Sequence, residues 1–157
     1  MPSSLYLETS IISYLTGRRS RNVVITAHQQ LTKKWWNMRH QQFELFVSPL
    51  VLREVTVGNP TMAQRRLRIV RELPVLALTA EATAVAEQLM KNGPLPPKAE
   101  VDALHIGVAA VHGIEYLLTW NCRHIANART RSQIESICRN MGYEPPVMCT
   151  PEELTEE

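Results

Sequence analysis

Apolar and polar positions divide the chain into short runs and longer periodic segments. The short runs are apolar or alternate between apolar and polar residues, as β-strands do: residues 5–7, 43–47, 74–78, 116–119 and 146–149. Between them, apolar residues recur at the spacing of helices: residues 11–15, 22–40, 50–55, 61–72, 80–90, 101–113 and 131–141. The pattern therefore predicts strands that alternate with helices.

Capping and turn residues support these boundaries. Residues 48–49 (Ser-Pro) have the form of an N-cap followed by proline, and residues 58–60 (Gly-Asn-Pro) and Gly142 are typical helix stops. Residues 150–153 have the form of a capping box. The fold class that follows is α/β, a three-layer α/β/α domain with a mostly parallel central sheet. In such sheets, ligands bind beyond the carboxyl ends of the strands.

Size and composition fit one domain over residues 1–157. No run approaches the ~18 apolar residues of a membrane span, so we expect no membrane partner. The first residues lack the basic region and apolar core of a signal peptide. The cysteines at 122, 138 and 149 are odd in number and widely spaced, which argues against a disulfide framework. These features predict a cytoplasmic protein.

Four polar residues occupy the positions at which such a fold builds a ligand site. Glu8 ends a strand, Asn121 follows another, and Glu54 and Asp102 are expected near the starts of helices. Asp102 is the only aspartate among the 15 acidic residues, and it lies in the first turn of a largely apolar helix. The four side chains are therefore expected to face one cleft.

Carboxylates that converge in a cleft repel each other unless a cation or a proton joins them. Mg²⁺ and Mn²⁺ prefer oxygen ligands, and one or two such ions can activate a water and stabilise a phosphodiester during displacement. The chain contains neither a Walker sequence nor a Gly-x-Gly-x-x-Gly motif, so a nucleotide cofactor is not expected. It also shows no Ser-His-acid or Cys-His arrangement. The composition of the cleft therefore points to metal-assisted chemistry.

These segments resemble the PIN-domain family in order and spacing. Residues 6–12 (Tyr-Leu-Glu-Thr-Ser-Ile-Ile) resemble the opening of a PIN domain, and residues 48–55 (Ser-Pro-Leu-Val-Leu-Arg-Glu-Val) resemble its second acidic segment. Residues 102–106 (Asp-Ala-Leu-His-Ile) resemble the third, and residues 118–125, with Thr-Trp-Asn, resemble the fourth. The resemblance extends over nearly the whole chain and implies a PIN-like fold.

PIN domains are typically metal-dependent ribonucleases, and many are VapC-like toxins that pair with an antitoxin. The resemblance implies an endoribonuclease in which Glu8, Glu54 and Asp102 hold Mg²⁺ or Mn²⁺. Asn121 would complete the shell directly or through water, as a fourth catalytic residue. RNA would be the substrate, and a homodimer and an antitoxin would be the protein partners.

The chain departs from the family pattern at two of these positions. Glu8 stands where Asp is usual, and Asn121 is neutral, with His124 where some relatives carry another acid. A second hypothesis is therefore a non-catalytic module, which binds nucleic acid or protein and whose metal site is degraded. In that case Asn121 would be a turn residue, and Asp102 and Glu8 would only complement helix dipoles.

Other residues are expected to support the site. Thr9, Ser10 and Thr119 are candidate hydrogen-bond partners of the carboxylates. Basic residues form two groups. The simplest interpretation is that they are solvent-exposed surface residues; if they border the cleft, they would contact RNA phosphates. The first group is Arg65, Arg68 and Arg71, which share a helix face; the second is Arg18, Arg19 and Arg21, with Lys33 and Lys34 on the next helix. His105, one turn after Asp102, is expected to be a histidine of the core or the site's rim.

Overall fold

The computed structural model describes residues 2–155 and every side chain among them except that of Arg39. The strands are Ser3–Leu7 (β1), Phe43–Phe46 (β2), Tyr116–Leu118 (β3) and Val147–Cys149 (β4). The α-helices are Thr9–Thr16 (α1), Val23–Arg39 (α2), Pro49–Glu54 (α3), Pro60–Val70 (α4), Ala80–Lys91 (α5), Glu100–Val111 (α6) and Arg131–Asn140 (α7). Short 3₁₀ helices cover His40–Gln42, Pro97–Ala99 and Pro151–Leu154.

The strands form one parallel sheet in the order β2-β1-β3-β4. Leu5 pairs with Leu45 on one side and with Tyr116 on the other, so β1 and β3 lie in the middle of the sheet. The predicted strand at residues 74–78 is wrong. There only Val75 forms an isolated parallel bridge with Val47, at the end of β2.

Helices cover both faces of the sheet, which confirms the predicted three-layer α/β/α class. One group of helices in contact consists of α1, α2 and α4, and the other consists of α3, α5, α6 and α7. Right-handed crossovers place the β1–β2 connection and the β3–β4 connection on opposite faces, because the chain moves across the sheet in opposite directions. Among the described residues, no helix is both long and apolar enough to cross a bilayer.

The central strands are fully buried, as expected for a parallel sheet covered on both faces. Leu5, Leu7, Leu117 and Leu118 have no exposed surface. Helices α5 and α6 approach so closely that a Cβ atom on Gly107 would lie 2.3 Å from the backbone oxygen of Ala82. The apolar α6 is thereby fixed against its neighbour, and the first turn of this helix carries Asp102.

Capping residues determine where the helices near the sheet edge begin. The Ser48 side chain accepts a hydrogen bond from the Leu50 amide, with Pro49 in the first turn of α3. The predicted capping box is present at the C-terminal 3₁₀ helix, between Thr150 and Glu153. One expectation is corrected: Glu54 lies at the end of its helix rather than near the start, because α3 is only 6 residues long.

Candidate active site

The predicted site residues gather at the edge of the sheet where the strands end. Glu8 follows β1 directly, and Thr119 and Asn121 follow β3, the adjacent strand. The Glu8 amide donates to the Leu118 carbonyl at 3.1 Å, which continues the ladder between these two strands to the site. Asp102 comes to the same edge in the first turn of α6, the helix that runs back to the start of β3.

Glu8 is a buried carboxylate, 6% exposed, that caps α1. Its Oε1 accepts hydrogen bonds from the amide and the hydroxyl of Ser10 and, at 2.6 Å, from the hydroxyl of Thr119. The Ser10 hydroxyl also accepts from the Trp120 amide at 2.8 Å. Ser10 and Thr119 thus fix Glu8 between the ends of β1 and β3, as the sequence predicted for hydrogen-bond partners.

Glu54 is held by a buried histidine. Its Oε1 lies 2.7 Å from His105 Nε2 and accepts from the Thr9 hydroxyl at 2.7 Å. The imidazole has no exposed surface, whereas the Glu54 side chain is 37% exposed. This geometry places Glu54 between α1 and α6 and turns part of its carboxylate to solvent.

A chain of hydrogen bonds continues from His105 into the core. His105 Nδ1 lies 2.6 Å from the Tyr6 hydroxyl, which lies 2.7 Å from the Ser48 hydroxyl. With a proton on Nε2, His105 donates to Glu54, and the Tyr6 hydroxyl bridges Nδ1 and the Ser48 hydroxyl. Each polar group in this chain of hydrogen bonds then has a partner. The chain runs from the start of α3 to Glu54 and fixes the direction of its carboxylate.

Two ionisable groups of this chain, Tyr6 and Glu54, have pKa values shifted in opposite directions. Burial raises the pKa of the Tyr6 hydroxyl well above its ordinary value, and the nearby charges of Glu8 and Glu54 raise it further. Tyr6 therefore keeps its proton as a donor. Partial burial acts to raise the pKa of Glu54, but the hydrogen bond and charge of His105 and the Thr9 hydroxyl outweigh burial and lower it.

The lowered pKa of Glu54 predicts how stability depends on pH. Above the pKa of Glu54 in the unfolded state, ~4.3, the ionised carboxylate contributes its full stabilisation of the folded state. This contribution disappears as the pH falls through the lower pKa of Glu54 in the folded state. The free energy of unfolding of Glu54→Gln and of the wild type, measured in urea with a chelator, should therefore differ most above pH ~5 and converge in stronger acid. A gap that widens below pH ~4 would contradict this assignment.

Asp102 also pairs with a histidine. Its Oδ2 lies 2.9 Å from His124 Nδ1, and both side chains are partly exposed, 22% for Asp102 and 17% for His124. His124 comes from the turn that follows β3, so this contact ties the first turn of α6 to the loop after Asn121. The pair lies at the mouth of the site rather than in the core.

Asn121 forms the turn that carries His124. Its Oδ1 accepts from the His124 amide at 3.0 Å, and its own amide donates to the Thr119 hydroxyl at 2.9 Å. The backbone carbonyl of Asn121 accepts from the amides of Ile125 and Ala126. The structure thus gives Asn121 the turn role that its residue type favours, between Thr119 on one side and His124 on the other.

These contacts form a network of two parts at the same edge of the sheet, which within residues 2–155 are joined only through the backbone. Glu8 shares Thr119 with Asn121, and Asn121 leads through His124 to Asp102. On the other side, Thr9 and His105 connect Glu54 to α1 and to the helix of Asp102. Thr9, Ser10 and Thr119, the candidate partners named from the sequence, each donate a hydrogen bond to Glu54 or Glu8; their role in a functional site stays a prediction.

The donor set has the chemistry that Mg²⁺ or Mn²⁺ prefers, with oxygen atoms from three carboxylates and an amide. Hydrogen bonds within residues 2–155 reach only Oε1 of Glu8, Oε1 of Glu54 and Oδ2 of Asp102, so the second oxygen of each faces no protein donor. The side chains are not assembled around one point: in the same residues, no three His, Cys, Asp or Glu side chains form a group that could hold a metal. Sharing an ion requires the free oxygens to turn toward it.

Sequence reasoning did not identify all the residues that hold the carboxylates. Tyr6 has the pattern of a strand residue and Ser48 that of a helix cap, and nothing in their spacing indicates the hydrogen bonds from Ser48 to Tyr6 and from Tyr6 to His105. The fully buried His105 is the Glu54 partner, and the only sequence signal was its position one turn after Asp102. His124 was noted only as a substitute for an acid, whereas it is the Asp102 partner.

The basic residues of α4 lie apart from this network. Arg65, Arg68 and Arg71 are exposed, and Arg68 and Arg71 line a surface hollow with Leu67. The neighbouring Arg66 instead fixes α4 to the end of α3, donating to the carbonyls of Val55 and Val57. In the described residues, hydrogen bonds do not join Arg65, Arg68 or Arg71 to the acidic site.

A comparison with known protein families identifies the family of this chain. The sequence profile of the PIN domain matches residues 5–129, which contain Glu8, Glu54, Asp102 and Asn121. The chain belongs to the PIN-domain family. The predicted resemblance to PIN domains and the predicted PIN-like fold class are thereby confirmed. A search of the curated proteins finds no match to this PIN domain.

Solved structures share the fold of this PIN domain. Mycobacterium tuberculosis VapC20, described as a toxin that cleaves the sarcin-ricin loop, is 18% identical over 77% of this chain and 92% of its own, with a TM-score of 0.58. A chain of Rickettsia felis VapBC2, solved with a promoter DNA fragment, is 15% identical over 93% and 97%, with a TM-score of 0.58. A toxin–antitoxin complex from Klebsiella pneumoniae gives 20% identity over 80% and 92%, with a TM-score of 0.56. At these identities the likeness is one of fold.

Proposed function

We propose that this PIN domain is an endoribonuclease that hydrolyses RNA phosphodiester bonds with Mg²⁺ or Mn²⁺ and that it acts as the toxin of a toxin–antitoxin pair. The observation that carries the proposal is the hydrogen-bonded network at the carboxyl edge of the sheet. One part holds Glu8 and Asp102, the other holds Glu54, and among residues 2–155 one oxygen of each carboxylate has no protein donor. The family match supports the same class of activity.

Glu8, Glu54 and Asp102 would hold the metal, and Asn121 would complete its surroundings directly or through water. A bound divalent ion supplies an activated water and offsets the charge that develops on the phosphate. The residues of this chain prepare that site. Thr9 and His105 orient Glu54, Ser10 and Thr119 orient Glu8, and His124 orients Asp102.

The comparisons support the proposed partners. Two of the structural neighbours come from VapBC or toxin–antitoxin complexes, and one is described as a toxin that cleaves the sarcin-ricin loop, which supports an antitoxin partner and an RNA substrate. Arg65, Arg68 and Arg71 are proposed contacts for RNA phosphates, since they are exposed on α4 and at its C-cap, and α4 packs against α1. A homodimer and a cytoplasmic location remain proposals from the sequence.

A second function is favoured by the partners of two carboxylates. His105 and His124 lie within 2.9 Å of Glu54 and Asp102, and within residues 2–155 no side chains form a ready metal cluster. Histidines that neutralise these acids would remove the need for a cation. The alternative is therefore a non-catalytic PIN-like module that binds nucleic acid or protein.

Calorimetric titration with Mn²⁺, combined with a cleavage assay, separates the two functions. The proposed nuclease should bind Mn²⁺ at its carboxylates, cleave single-stranded RNA, lose cleavage in chelator and recover it when Mn²⁺ is restored. The module predicts no heat at millimolar Mn²⁺ and no cleavage under any metal condition. Cleavage that persists in chelator would contradict the metal-dependent mechanism.

A further inference from the structure

The basic residues of the chain are concentrated in one segment. Residues 9–43 contain none of the 15 acidic residues but six of the 17 Lys and Arg residues, although the net charge of the whole chain is only +2. This segment forms α1, α2 and the loop that joins them. These two helices and their loop therefore contribute positive charge and no acidic side chain of their own.

The loop that carries three of these arginines is held in place by α2. Gln29 donates to the Arg18 carbonyl at 2.8 Å and accepts from the Ser20 amide, and the Thr26 hydroxyl donates to the Ser20 carbonyl at 2.7 Å. Gly17 packs against Ser13 and Gln29 so tightly that a Cβ atom would lie 2.8 Å from the Ser13 oxygen. The loop thus presents its arginines from a fixed backbone.

Loop and helix together form a basic surface with a hollow, which we term the arginine-loop surface: Arg19, Arg21 and Lys33 line the hollow, and Arg18 is their exposed neighbour in the loop. Arg19 and Lys33 line a cavity of about 290 Å³ with Thr26, Gln29 and Gln30. Arg19 and Arg21 line an adjoining one of about 370 Å³. All four cations are exposed, and none forms an ion pair with a carboxylate among residues 2–155. Their charge is available to a ligand.

Aromatic rings connect this surface to the acidic site. The half-buried His28 stacks on Trp120 with ring centroids 4.0 Å apart, and Tyr14 meets both rings edge-on. The Trp120 amide donates to the Ser10 hydroxyl that holds Glu8, and Asn121 follows in the chain. His28 immediately precedes Gln29, which lines the hollow. Trp120, which contacts α2 through His28 and Thr32, therefore links the helix that lines the hollow to the acidic site.

We propose that the arginine-loop surface binds the single-stranded RNA next to the bond that is cleaved. Arg19, Arg21 and Lys33 contact successive phosphates, and the exposed part of the His28–Tyr14 pair receives a base. The inference rests on the proposed function and identifies where its substrate lies. Exposed cations that line a hollow beside aromatic rings suit a polyanion with planar bases, because the cations bind phosphates and the rings stack on bases. An acidic polypeptide fits less well, since carboxylate side chains do not stack on aromatic rings.

The test compares two double variants that remove equal charge. Arg19→Gln/Lys33→Gln alters the surface, and Lys91→Gln/Lys98→Gln removes two exposed lysines from the opposite group of helices. Fluorescence anisotropy with a short labelled single-stranded oligoribonucleotide is measured in chelator, so that no cleavage is required. The surface variant should bind about tenfold more weakly than the control at low salt. Its slope of log affinity against log salt should fall by about 1.4, since each single-strand phosphate contact contributes about 0.7.

The outcomes distinguish this inference from the proposed function. The proposal that the arginine-loop surface binds RNA is overturned if the two double variants lose RNA affinity equally, or if the wild type does not bind RNA. A polyglutamate peptide that competes as well as RNA and loses affinity in parallel also overturns it, in favour of an acidic protein partner. Binding that depends on Arg19 and Lys33 without any cleavage in Mn²⁺ supports the surface and refutes the nuclease. If the wild type cleaves RNA but its RNA binding does not depend on Arg19 or Lys33, the nuclease is supported and the arginine-loop surface is refuted.

Discussion

Asp102→Asn is expected to abolish RNA cleavage while the protein stays folded. Asp102 is partly exposed at the site, and an asparagine oxygen can still accept from His124 Nδ1, so the contact between α6 and the loop after β3 survives. The substitution removes one of three charges proposed to hold the cation. Metal stabilisation of a phosphoryl transition state amounts to several kcal/mol, so the rate should fall by roughly three orders of magnitude.

Glu100→Gln is the matched control for this prediction. Glu100 is exposed in the same first turn of α6, and its replacement removes the same charge from the same helix terminus. Cleavage of a labelled RNA in Mn²⁺, together with urea unfolding, should show an inactive, folded Asp102→Asn and an active Glu100→Gln. Equal rates for the two variants would mean that Asp102 serves the helix and not the chemistry.

Trp120→Ala is expected to cause the largest loss of stability. Trp120 is 9% exposed, stacks on His28, contacts Tyr14 and donates from Nε1 to the Thr32 hydroxyl at 2.7 Å. Truncation leaves a cavity where the end of β3 meets α1 and α2, and such Trp-to-Ala changes cost about 3–5 kcal/mol. The free energy of unfolding, measured in urea, checks this magnitude.

Trp120→Phe separates packing from hydrogen bonding at the same position. Phenylalanine keeps a ring against His28 but lacks the Nε1 donor, and Thr32 can still donate to the His28 carbonyl. The expected cost is about 1 kcal/mol for the hydrogen bond plus a smaller packing loss. If the alanine and phenylalanine variants were equally destabilised, the cavity argument would fail.

The carboxyl edge of the sheet could be predicted from sequence because its signals are local. Glu8 follows an apolar run, Ser48 precedes a proline, and Asp102 opens an apolar helix, so each residue reports its own place at a strand end or a helix start. In a parallel sheet those places meet. The order of the acidic segments then sufficed to indicate the family.

Features that depend on distant partners could not be predicted. The run at residues 74–78 has the composition of a strand, but it forms only a single bridge, at Val75, whose two neighbours hydrogen-bond to Val47 just beyond the end of β2. Likewise, helical spacing places His105 near Asp102, yet its ring bonds to Tyr6 and Glu54, which are 99 and 51 residues away in the chain. Periodicity describes which face a residue occupies and does not identify what lies opposite.

The predicted position of Glu54 in helix α3 was wrong for a related reason. Residues 50–55 have a helical pattern, and Glu54 was expected near the helix start, but the helix spans Pro49–Glu54 and ends there. Arg66 of α4 binds the carbonyls of Val55 and Val57 just beyond that end. A tertiary contact thus secures the chain after Glu54, and no local signal in the sequence indicates it.

Anomalous scattering from a crystal soaked in Mn²⁺ tests the central claim most directly. The account predicts a single strong peak within coordination distance of Glu8, Glu54 and Asp102, with their free oxygens turned toward the ion. It also predicts that Asp102→Asn crystals lose the peak. Crystals soaked at millimolar Mn²⁺ that show no density among these carboxylates, with His105 and His124 still bound to Glu54 and Asp102, would contradict it.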